Sequence, residues 1–232
     1  MQFVPNQVMG YDRAITMFSP DGRLLQVEYA KKAVSLGRMS LGIVFKGGIL
    51  LMSDKHRADK LVIADSVRKV SNINKNIIAT SAGYIPDARV LISKCRVRAQ
   101  QHKITYGEEI DVESIVKYVA DIEQAYTQYG GIRPFGISLL IGGYDQKGEQ
   151  IYVIEPTGTY FQYKAKAIGM NSEVANKYFE SKYKSDIDEK SAIKLAIGAF
   201  KKALGKEFSV ERLEAKAVTE QGIKNIKNSE LR

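Results

Sequence analysis

The chain has 232 residues, enough for one large domain with an extensive core, and we find no linker, low-complexity tract or internal repeat. Its one cysteine excludes an internal disulfide and fits a reducing cytoplasm, no apolar stretch approaches the roughly eighteen residues of a membrane span, and we expect no signal peptide. The formal charge of +9 is scattered over helical patterns without a nucleic-acid-binding motif, so it predicts solvated helix faces and neither a nucleic-acid nor a membrane partner.

The first part of the chain predicts a turn and a helix. After an uncharged stretch, residues 1–10, the motif Ser19-Pro20-Asp21-Gly22 predicts a type I turn, because Pro presets φ at its second position. A helix follows over residues 24–36, and Gly37 stands where a left-handed terminating residue is favoured. Apolar residues occupy most sides of this helix, so its own domain must cover it, either alone or together with a neighbouring subunit.

The rest of the chain alternates between groups of strands and pairs of helices. The first group comprises hairpins 41–45/49–53 and 67–73/77–81, a helix over 86–102 and a helix capped by Asp111. The second group comprises strands 135–142, 150–155 and 160–168, helices 172–183 and 188–204, and strand 213–219 before a polar tail. This grouping favours two stacked antiparallel sheets, with strands buried on both faces and a helix pair over each outer face.

The usual motifs for metals, cofactors and catalysis are absent. His56 and His102 are the two histidines and have no partner at zinc-ligand spacing, and Cys95 lies on the apolar stripe of its helix. There is no P-loop, GxGxxG or GxSxG motif. The motifs therefore predict no metal, no cofactor and no recognisable active site.

Several longer motifs resemble the α subunit of the 20S proteasome, most closely the archaeal type. They are Tyr11-Asp12-Arg13-Ala14-Ile15-Thr16, Phe18-Ser19-Pro20-Asp21-Gly22-Arg23-Leu24, Gln26-Val27-Glu28-Tyr29-Ala30, Tyr126-Thr127-Gln128-Tyr129-Gly130-Gly131 and Arg133-Pro134-Phe135-Gly136. The resemblance implies an α+β fold, the four-layer αββα sandwich of N-terminal-nucleophile hydrolases. It implies a single domain over residues 1–232, with helix 24–36 lying across the top of the sandwich as an extra N-terminal element.

The resemblance also implies a biological role. The chain is expected to form heptameric α rings that cap rings of catalytic proteasome β subunits in the cytoplasm. These rings form the antechamber and axial pore through which unfolded proteins reach the β subunits for degradation.

The same resemblance predicts that this chain is not itself a protease. The β subunits use an N-terminal threonine whose amine serves as base, and Arg38 takes that position here. Ser40 is the nearest hydroxyl, but it follows Met39 instead of the glycine of a β-type processing site. Asp54 and Lys69 fall where β subunits keep a supporting aspartate and lysine, so we expect them to retain a structural or binding role.

The resemblance assigns the N-terminal residues to a gate. Residues 1–10 match the family's segment that closes the axial pore. Tyr11, Asp12, Pro20 and Tyr29 match the cluster that holds the gate open, and tyrosine hydroxyls can bond a carboxylate while their rings pack on proline.

Two further groups of residues match binding regions of the family. Lys69, Glu28 and Gly37 match a pocket between adjacent α subunits that receives the C-terminal tail of a ring ATPase activator, and a lysine ammonium can pair with a terminal carboxylate. Tyr129-Gly130-Gly131-Ile132 matches the turn that lines the annulus through which substrates pass.

Two alternatives for the function of the chain remain open at this point: a catalytic N-terminal-nucleophile threonine hydrolase and a basic nucleic-acid-binding module.

Overall fold

The computed structural model describes residues 16–55, 61–63 and 66–231. Within these ranges the helices are α1 (Leu25–Leu36), α2 (Ile85–Tyr106), α3 (Val112–Ala125), α4 (Ser172–Lys182) and α5 (Glu189–Leu204). The strands are β1 (Ser40–Phe45), β2 (Gly48–Asp54), β3 (Ser71–Asn72), β4 (Ile77–Gly83), β5 (Ile137–Asp145), β6 (Gly148–Ile154), β7 (Tyr160–Tyr163), β8 (Ala165–Ile168), β9 (Leu213–Thr219) and β10 (Gly222–Ile226). Two short 3-10 helices, Gly205–Glu207 and Val210–Arg212, connect α5 to β9.

The described strands form two antiparallel sheets with helices on their outer faces. The strand orders are β10-β9-β2-β1-β8 and β3-β4-β5-β6-β7. A central apolar layer that includes Leu51, Leu140 and Val218 lies between the sheets. Helices α4 and α5 pack on the first sheet around Phe200, and α2 and α3 pack on the second around Ile115. The predicted α+β sandwich with four layers is confirmed.

Strand β2 shows why these strands are apolar at nearly every position. Successive side chains of a strand point to opposite faces of its sheet. Ile49 and Leu51 therefore enter the central layer, while Leu50 and Met52 enter the layer under α4 and α5. Because both faces are covered, each of these side chains is fully buried.

The predicted strand over residues 67–73 is wrong except for Ser71–Asn72. The backbone N–H of Lys69 donates to a carboxylate oxygen of Glu214, 2.7 Å away, instead of joining a strand ladder. Pairing with β4 begins at Ser71, opposite Ala79. A side chain from a distant strand therefore replaces the ladder partner that local patterning implied.

The predicted strand over residues 160–168 is two strands in different sheets. β7 pairs with β6, whereas β8 pairs with β1. The carbonyl of Lys164, at the crossing point, accepts the Val44 N–H at 2.8 Å. One continuous extended segment thus supplies an edge strand to each of the two sheets.

The predicted polar tail contains a further strand, β10. It forms a two-residue hairpin with β9, and Gly222 begins it with φ of +102°. Only two of its residues are apolar. Ile223 packs on the central layer from a half-buried position, and Ile226 enters the outer layer. Such an edge strand has little alternation for a sequence pattern to detect.

Glu123 is a buried acid on α3. Its side chain is fully buried, and neither carboxylate oxygen has a hydrogen-bond partner in the part of the chain that the structure describes. Burial raises the pKa of this carboxyl well above its usual value. The folded chain therefore holds a proton that the unfolded chain releases, so stability decreases as pH rises from about 4.5 towards the folded pKa.

Replacing Glu123 with Met should stabilise the chain. At pH near 7.5 we expect the free energy of unfolding to rise by about 1–3 kcal/mol, because an apolar side chain of similar length avoids burying an unpartnered acid. Urea unfolding at two pH values measures this, and the gain should be smaller at pH near 5.5. Glu113→Met is the matched control, since Glu113 on the same helix pairs with Lys117 and Lys147 and its removal should bring no gain. If the Glu123→Met chain is no more stable than the natural one, burial of the Glu123 carboxyl does not destabilise the fold.

Candidate functional site

Helix α1 is covered by its own chain on one face only. Leu25, Val27 and Val34 are buried, and Val34 reaches the central layer next to Ala82. Tyr29 and Leu36, in contrast, are 50% and 63% exposed. The described residues therefore leave part of the apolar surface of this helix open, and a neighbouring subunit remains one of the two predicted ways to cover it.

Gly37 ends α1, but the prediction of a left-handed conformation there is wrong. Its backbone is extended, with φ of −71° and ψ of 150°. The constraint is space: a Cβ at this position would lie 2.0 Å from the backbone nitrogen of Gly83 at the end of β4. The Gly37 carbonyl also accepts the Met170 N–H at 2.7 Å. Glycine is required because three backbone segments approach each other closely.

Substituting Gly37 with Ala should therefore destabilise the fold. The obstacle is backbone and cannot rotate away, so we expect the free energy of unfolding to fall by about 3 kcal/mol. Gly130→Ala is the control, because a Cβ there meets nothing within 4 Å and the cost should be small. Urea unfolding of both variants tests the difference. Equal stability of the two variants would show that β4 and α1 separate easily.

The position of the expected nucleophile lies at the start of β1, directly after this glycine. Arg38 occupies it, and Ser40 is the nearest hydroxyl. The Ser40 hydroxyl is fully buried and donates to the Ser81 carbonyl at 2.9 Å. It also accepts from the Thr80 hydroxyl at 3.1 Å, so it belongs to a closed polar contact between the sheets. Neither residue offers an accessible nucleophile.

Asp54, at the end of β2, is paired with an arginine from the other end of the chain. Arg212 donates to its two carboxylate oxygens from Nε at 3.1 Å and from Nη2 at 2.6 Å. The side chains of Asp54 and Arg212 are only 1% and 13% exposed. Arg212 donates in addition to the Glu207 carbonyl at 2.7 Å, which fixes its guanidinium. A buried, bidentate pair of this kind holds the carboxylate in one orientation.

Lys69 lies beside this pair with its ammonium partly available. Its Nζ donates to the Ser81 carbonyl at 3.1 Å. Among the described residues this is its one hydrogen bond, so two of its three N–H donors are left for a ligand. Burial lowers the pKa of Lys69 to about 8, the charges of Asp54 and Glu214 oppose this change, and Arg38 adds to it. The structure thus brings Arg38, Asp54 and Lys69 together.

The predicted docking residues are only partly brought together within one chain. Lys69 contacts Ser81 and Gly37 contacts Gly83, two positions further along β4. Glu28 lies nine residues before Gly37, or about 13 Å along the helix axis at ~1.5 Å per residue. Its carboxylate pairs with Arg23, which lowers the pKa of Glu28. Glu28 is therefore at the other end of α1 from Gly37.

The predicted gate residues are described only in part. Residues 1–10, Tyr11 and Asp12 lie outside the described residues. The turn that carries Pro20 is confirmed, because the N–H of Gly22 donates to the Ser19 carbonyl at 2.8 Å and Gly22 has φ of +73°. Pro20 on this turn and Tyr29 on α1 are both exposed.

The predicted annulus turn, Tyr129-Gly130-Gly131-Ile132, is an exposed loop between α3 and β5. Tyr129 is 63% exposed and Ile132 is 37% exposed. Gly131 has φ of +84°, a conformation that favours glycine. Both glycines have open space around them, so the loop can approach another surface closely.

Comparison with known proteins decides the family. Residues 34–218 match the family described as "Proteasome subunit". The chain belongs to the proteasome subunit family. Residues 11–33 match the N-terminal signature of A-type proteasome subunits, which covers the Pro20 turn and most of α1 and identifies the α type.

Archaeal proteasome α subunits are similar to this chain over nearly its whole length. The proteasome α subunit of Methanopyrus kandleri is 44% identical, over 95% of this chain and 90% of the relative. The protein of the same name from Thermococcus gammatolerans is 47% identical, over 94% and 83%. That of Methanothermobacter thermautotrophicus is 46% identical, over 90% and 85%. The predicted resemblance to archaeal α subunits is confirmed, and assembly with other proteasome subunits follows from it.

This proteasome α-type chain contains two site residues that sequence reasoning missed, Arg212 and Glu214. Arg212 holds Asp54 and Glu214 holds the backbone of Lys69. They lie 158 and 145 positions from their partners, on the segment that enters β9. No local pattern marks them, because ordinary charged residues at a strand entrance look like solvated surface.

No metal site is found within the described ranges, since these contain no group of three or more His, Cys, Asp or Glu side chains able to hold an ion. Cys95 is fully buried in the layer between α2, α3 and the second sheet, and burial raises the pKa of its thiol to about 12.

Among the helices of the described residues, none is long and apolar enough to cross a membrane.

Proposed function

We propose that this chain is a non-catalytic subunit of the α ring of a cytoplasmic 20S proteasome, which gates substrate passage and docks a ring ATPase activator. The observation that carries the non-catalytic role is the site of the missing nucleophile. Arg38 stands there in mid-chain, behind α1, and the nearby Ser40 hydroxyl is fully buried and hydrogen-bonded. An amine-activated threonine mechanism needs a free N-terminal hydroxyl residue, which this position does not have.

The exposed face of α1 supports assembly into a ring. Tyr29 and Tyr84 are each about half exposed and line a groove of about 340 Å³ between α1 and the start of α2. A neighbouring α subunit in a heptameric ring would cover this groove and the exposed Leu36. The partners are accordingly other α subunits and, on the opposite face of the ring, the catalytic β subunits.

Lys69 supports the docking of an activator tail. Its ammonium has donors to spare and is bonded to Ser81, two positions before the Gly83 that Gly37 contacts, which suits a peptide C-terminal carboxylate. Glu28 lies at the opposite end of α1, so in a pocket between two subunits it would be supplied by the adjacent copy. The pocket is therefore complete only in the ring.

The first thirty residues and the annulus turn support the gate. Residues 1–10 would cover the pore, Tyr11, Asp12, Pro20 and Tyr29 would hold them in the open arrangement, and the loop at Tyr129 would line the constriction. An opening lined by such a short loop admits extended chains, so folded substrates would need to be unfolded first.

Intact mass spectrometry tests the non-catalytic role directly. After incubation with a threonine-directed electrophile, the purified chain should keep its mass, because position 38 carries no hydroxyl and the nearby Ser40 hydroxyl is buried and hydrogen-bonded. The active β subunit, treated in parallel, is the control and should gain one adduct. An adduct on this chain would overturn the proposal in favour of a catalytic hydrolase. Native mass spectrometry of the same sample should show a heptamer.

A further inference from the structure

Two carboxylates act on the Lys69 ammonium and could compete with a ligand for it. The charges of both Asp54 and Glu214 act on it, and its site is otherwise poorly solvated. A carboxylate inside the same fold has an advantage over one that arrives from solution, because it loses no translational freedom on pairing. A free Asp54 or Glu214 would therefore occupy the donors that a docked tail needs.

The fold gives each of these carboxylates another partner. The Glu214 carboxylate accepts the backbone N–H of Lys69 at 2.7 Å, so it is bonded to the main chain of Lys69 and not to its ammonium. Asp54 accepts two hydrogen bonds from Arg212 in a pair that is almost fully buried. The Lys69 ammonium is left on an uncharged acceptor, the Ser81 carbonyl.

We propose that Arg212 is a positioning residue for Lys69, which by holding the Asp54 carboxylate keeps the Lys69 ammonium on the Ser81 carbonyl with donors left for an incoming peptide carboxylate. The proposal rests on the docking role of Lys69. The aspartate at the position of the supporting aspartate of β subunits is here paired with Arg212. Among the described residues, the charged groups that act on Lys69 are Asp54 from β2, Glu214 from β9 and Arg38 before β1.

Loss of Arg212 should transfer Asp54 to Lys69. In Arg212→Met the buried carboxylate loses its bidentate partner, and Lys69 is a cation on which the Asp54 charge already acts. Direct pairing with a carboxylate stabilises the charged form, so the pKa of Lys69 should rise from about 8 to above about 9. The double variant Arg212→Met/Asp54→Asn removes both charges and should return the pKa to about 8 or below.

Competitive labelling of lysines in the assembled protein measures this without any activator. The pH at which Lys69 is half-maximally acetylated by a limiting reagent, read by peptide mass spectrometry, reports its pKa. Arg133→Met is the matched control, because Arg133 forms a similar bidentate pair with Asp87 away from Lys69 and should leave the Lys69 profile unchanged. An unchanged Lys69 profile in assembled Arg212→Met would overturn the proposal.

Peptide binding provides the second measurement. The probe is a short peptide with the C-terminal sequence of an archaeal ring ATPase, carrying either a free carboxylate or a C-terminal amide. The free-acid peptide should bind Arg212→Met about tenfold more weakly than the natural ring. A pKa of Lys69 raised by one unit means that Asp54 stabilises the ammonium about tenfold, and the peptide carboxylate must displace Asp54 to bind. The double variant lacks this competitor and should restore binding. No loss in Arg212→Met, or no rescue in the double variant, would overturn the proposal.

The two levels of inference fail differently. If the docking role itself is wrong, Lys69→Ala binds the free-acid peptide as well as the natural ring does, whereas the labelling profiles still report on Arg212. Should Arg212→Met not assemble, Asp54→Asn alone removes the competing carboxylate and should bind the peptide normally at pH near 6.5. Loss of binding in that variant would show that Asp54 is itself required and would overturn the positioning role.

Discussion

Replacing Lys69 with Ala should abolish stimulation of the assembled particle by a ring ATPase while leaving the ring intact. The ammonium is the group with free donors at the end of β4, and a charge-assisted hydrogen bond to a carboxylate contributes about 1.5–3 kcal/mol. Each site should therefore lose at least about tenfold in affinity for the tail. ATP-dependent hydrolysis of a protein substrate, with β subunits and ATPase supplied in excess, measures the loss.

Two controls separate docking from folding in this experiment. Lys75→Ala removes a lysine six positions further along the chain whose side chain is 71% exposed, and stimulation should be retained. Native mass spectrometry should show the same heptamer for both variants. Full stimulation of an intact Lys69→Ala ring would contradict the docking role.

The pKa of Lys69 adds a pH dependence to the same measurement. Binding of a carboxylate requires the charged ammonium, which predominates below the pKa of about 8. Stimulation should accordingly fall as pH rises through about 8, well before an ordinary lysine would lose its proton. ATP hydrolysis by the ATPase alone, followed over the same range, corrects for effects on the activator.

Deletion of residues 1–10 should raise the hydrolysis of a small fluorogenic peptide several-fold in particles reconstituted with active β subunits. The segment is a chain terminus in which Pro5 and Gly10 interrupt regular structure, which suits a part that changes position. As a gate, it would limit the rate at which peptide reaches the β subunits. Its removal leaves Tyr11, Asp12, Pro20 and Tyr29 in place and should not affect assembly.

The ATPase provides the internal control for the gate. In the presence of activator the natural particle should approach the rate of the deleted one, because both then have an open pore. An intact deleted particle with unchanged peptide hydrolysis would show that residues 1–10 do not limit access.

Elements with strong local signals were predictable. Asp111 caps α3 by accepting the Ser114 N–H at 2.9 Å, and Asp188 caps α5 in the same way through Ser191. The apolar runs of β1 and β2 predicted strands buried on both faces, and the hairpin between them closes at Lys46-Gly47, where Gly47 has φ of +82°. These caps, turns and periodic patterns depend on residues only a few positions apart, so they can be read from the sequence.

Elements that depend on distant partners were not predictable. The segment before β3 leaves its ladder because Glu214, from β9, takes the Lys69 N–H. β7 and β8 divide one extended segment because its two halves pair with strands of different sheets, β6 and β1. Gly37 is extended because Gly83 and Met170 crowd it, which no property of its own neighbours implies.

The sequence by itself determined the layered fold, through the order and periodicity of its elements, and it places an arginine at position 38, where the resemblance expects the nucleophile of a β subunit. It also carried the motifs that identify the family. Only the tertiary structure decided which charges meet. Arg212 pairs with Asp54, Glu214 holds the Lys69 backbone, and the Lys69 ammonium is left on Ser81. The physical reason is that a buried ion pair forms between whichever complementary groups the fold brings within hydrogen-bond distance, however far apart they lie in the chain.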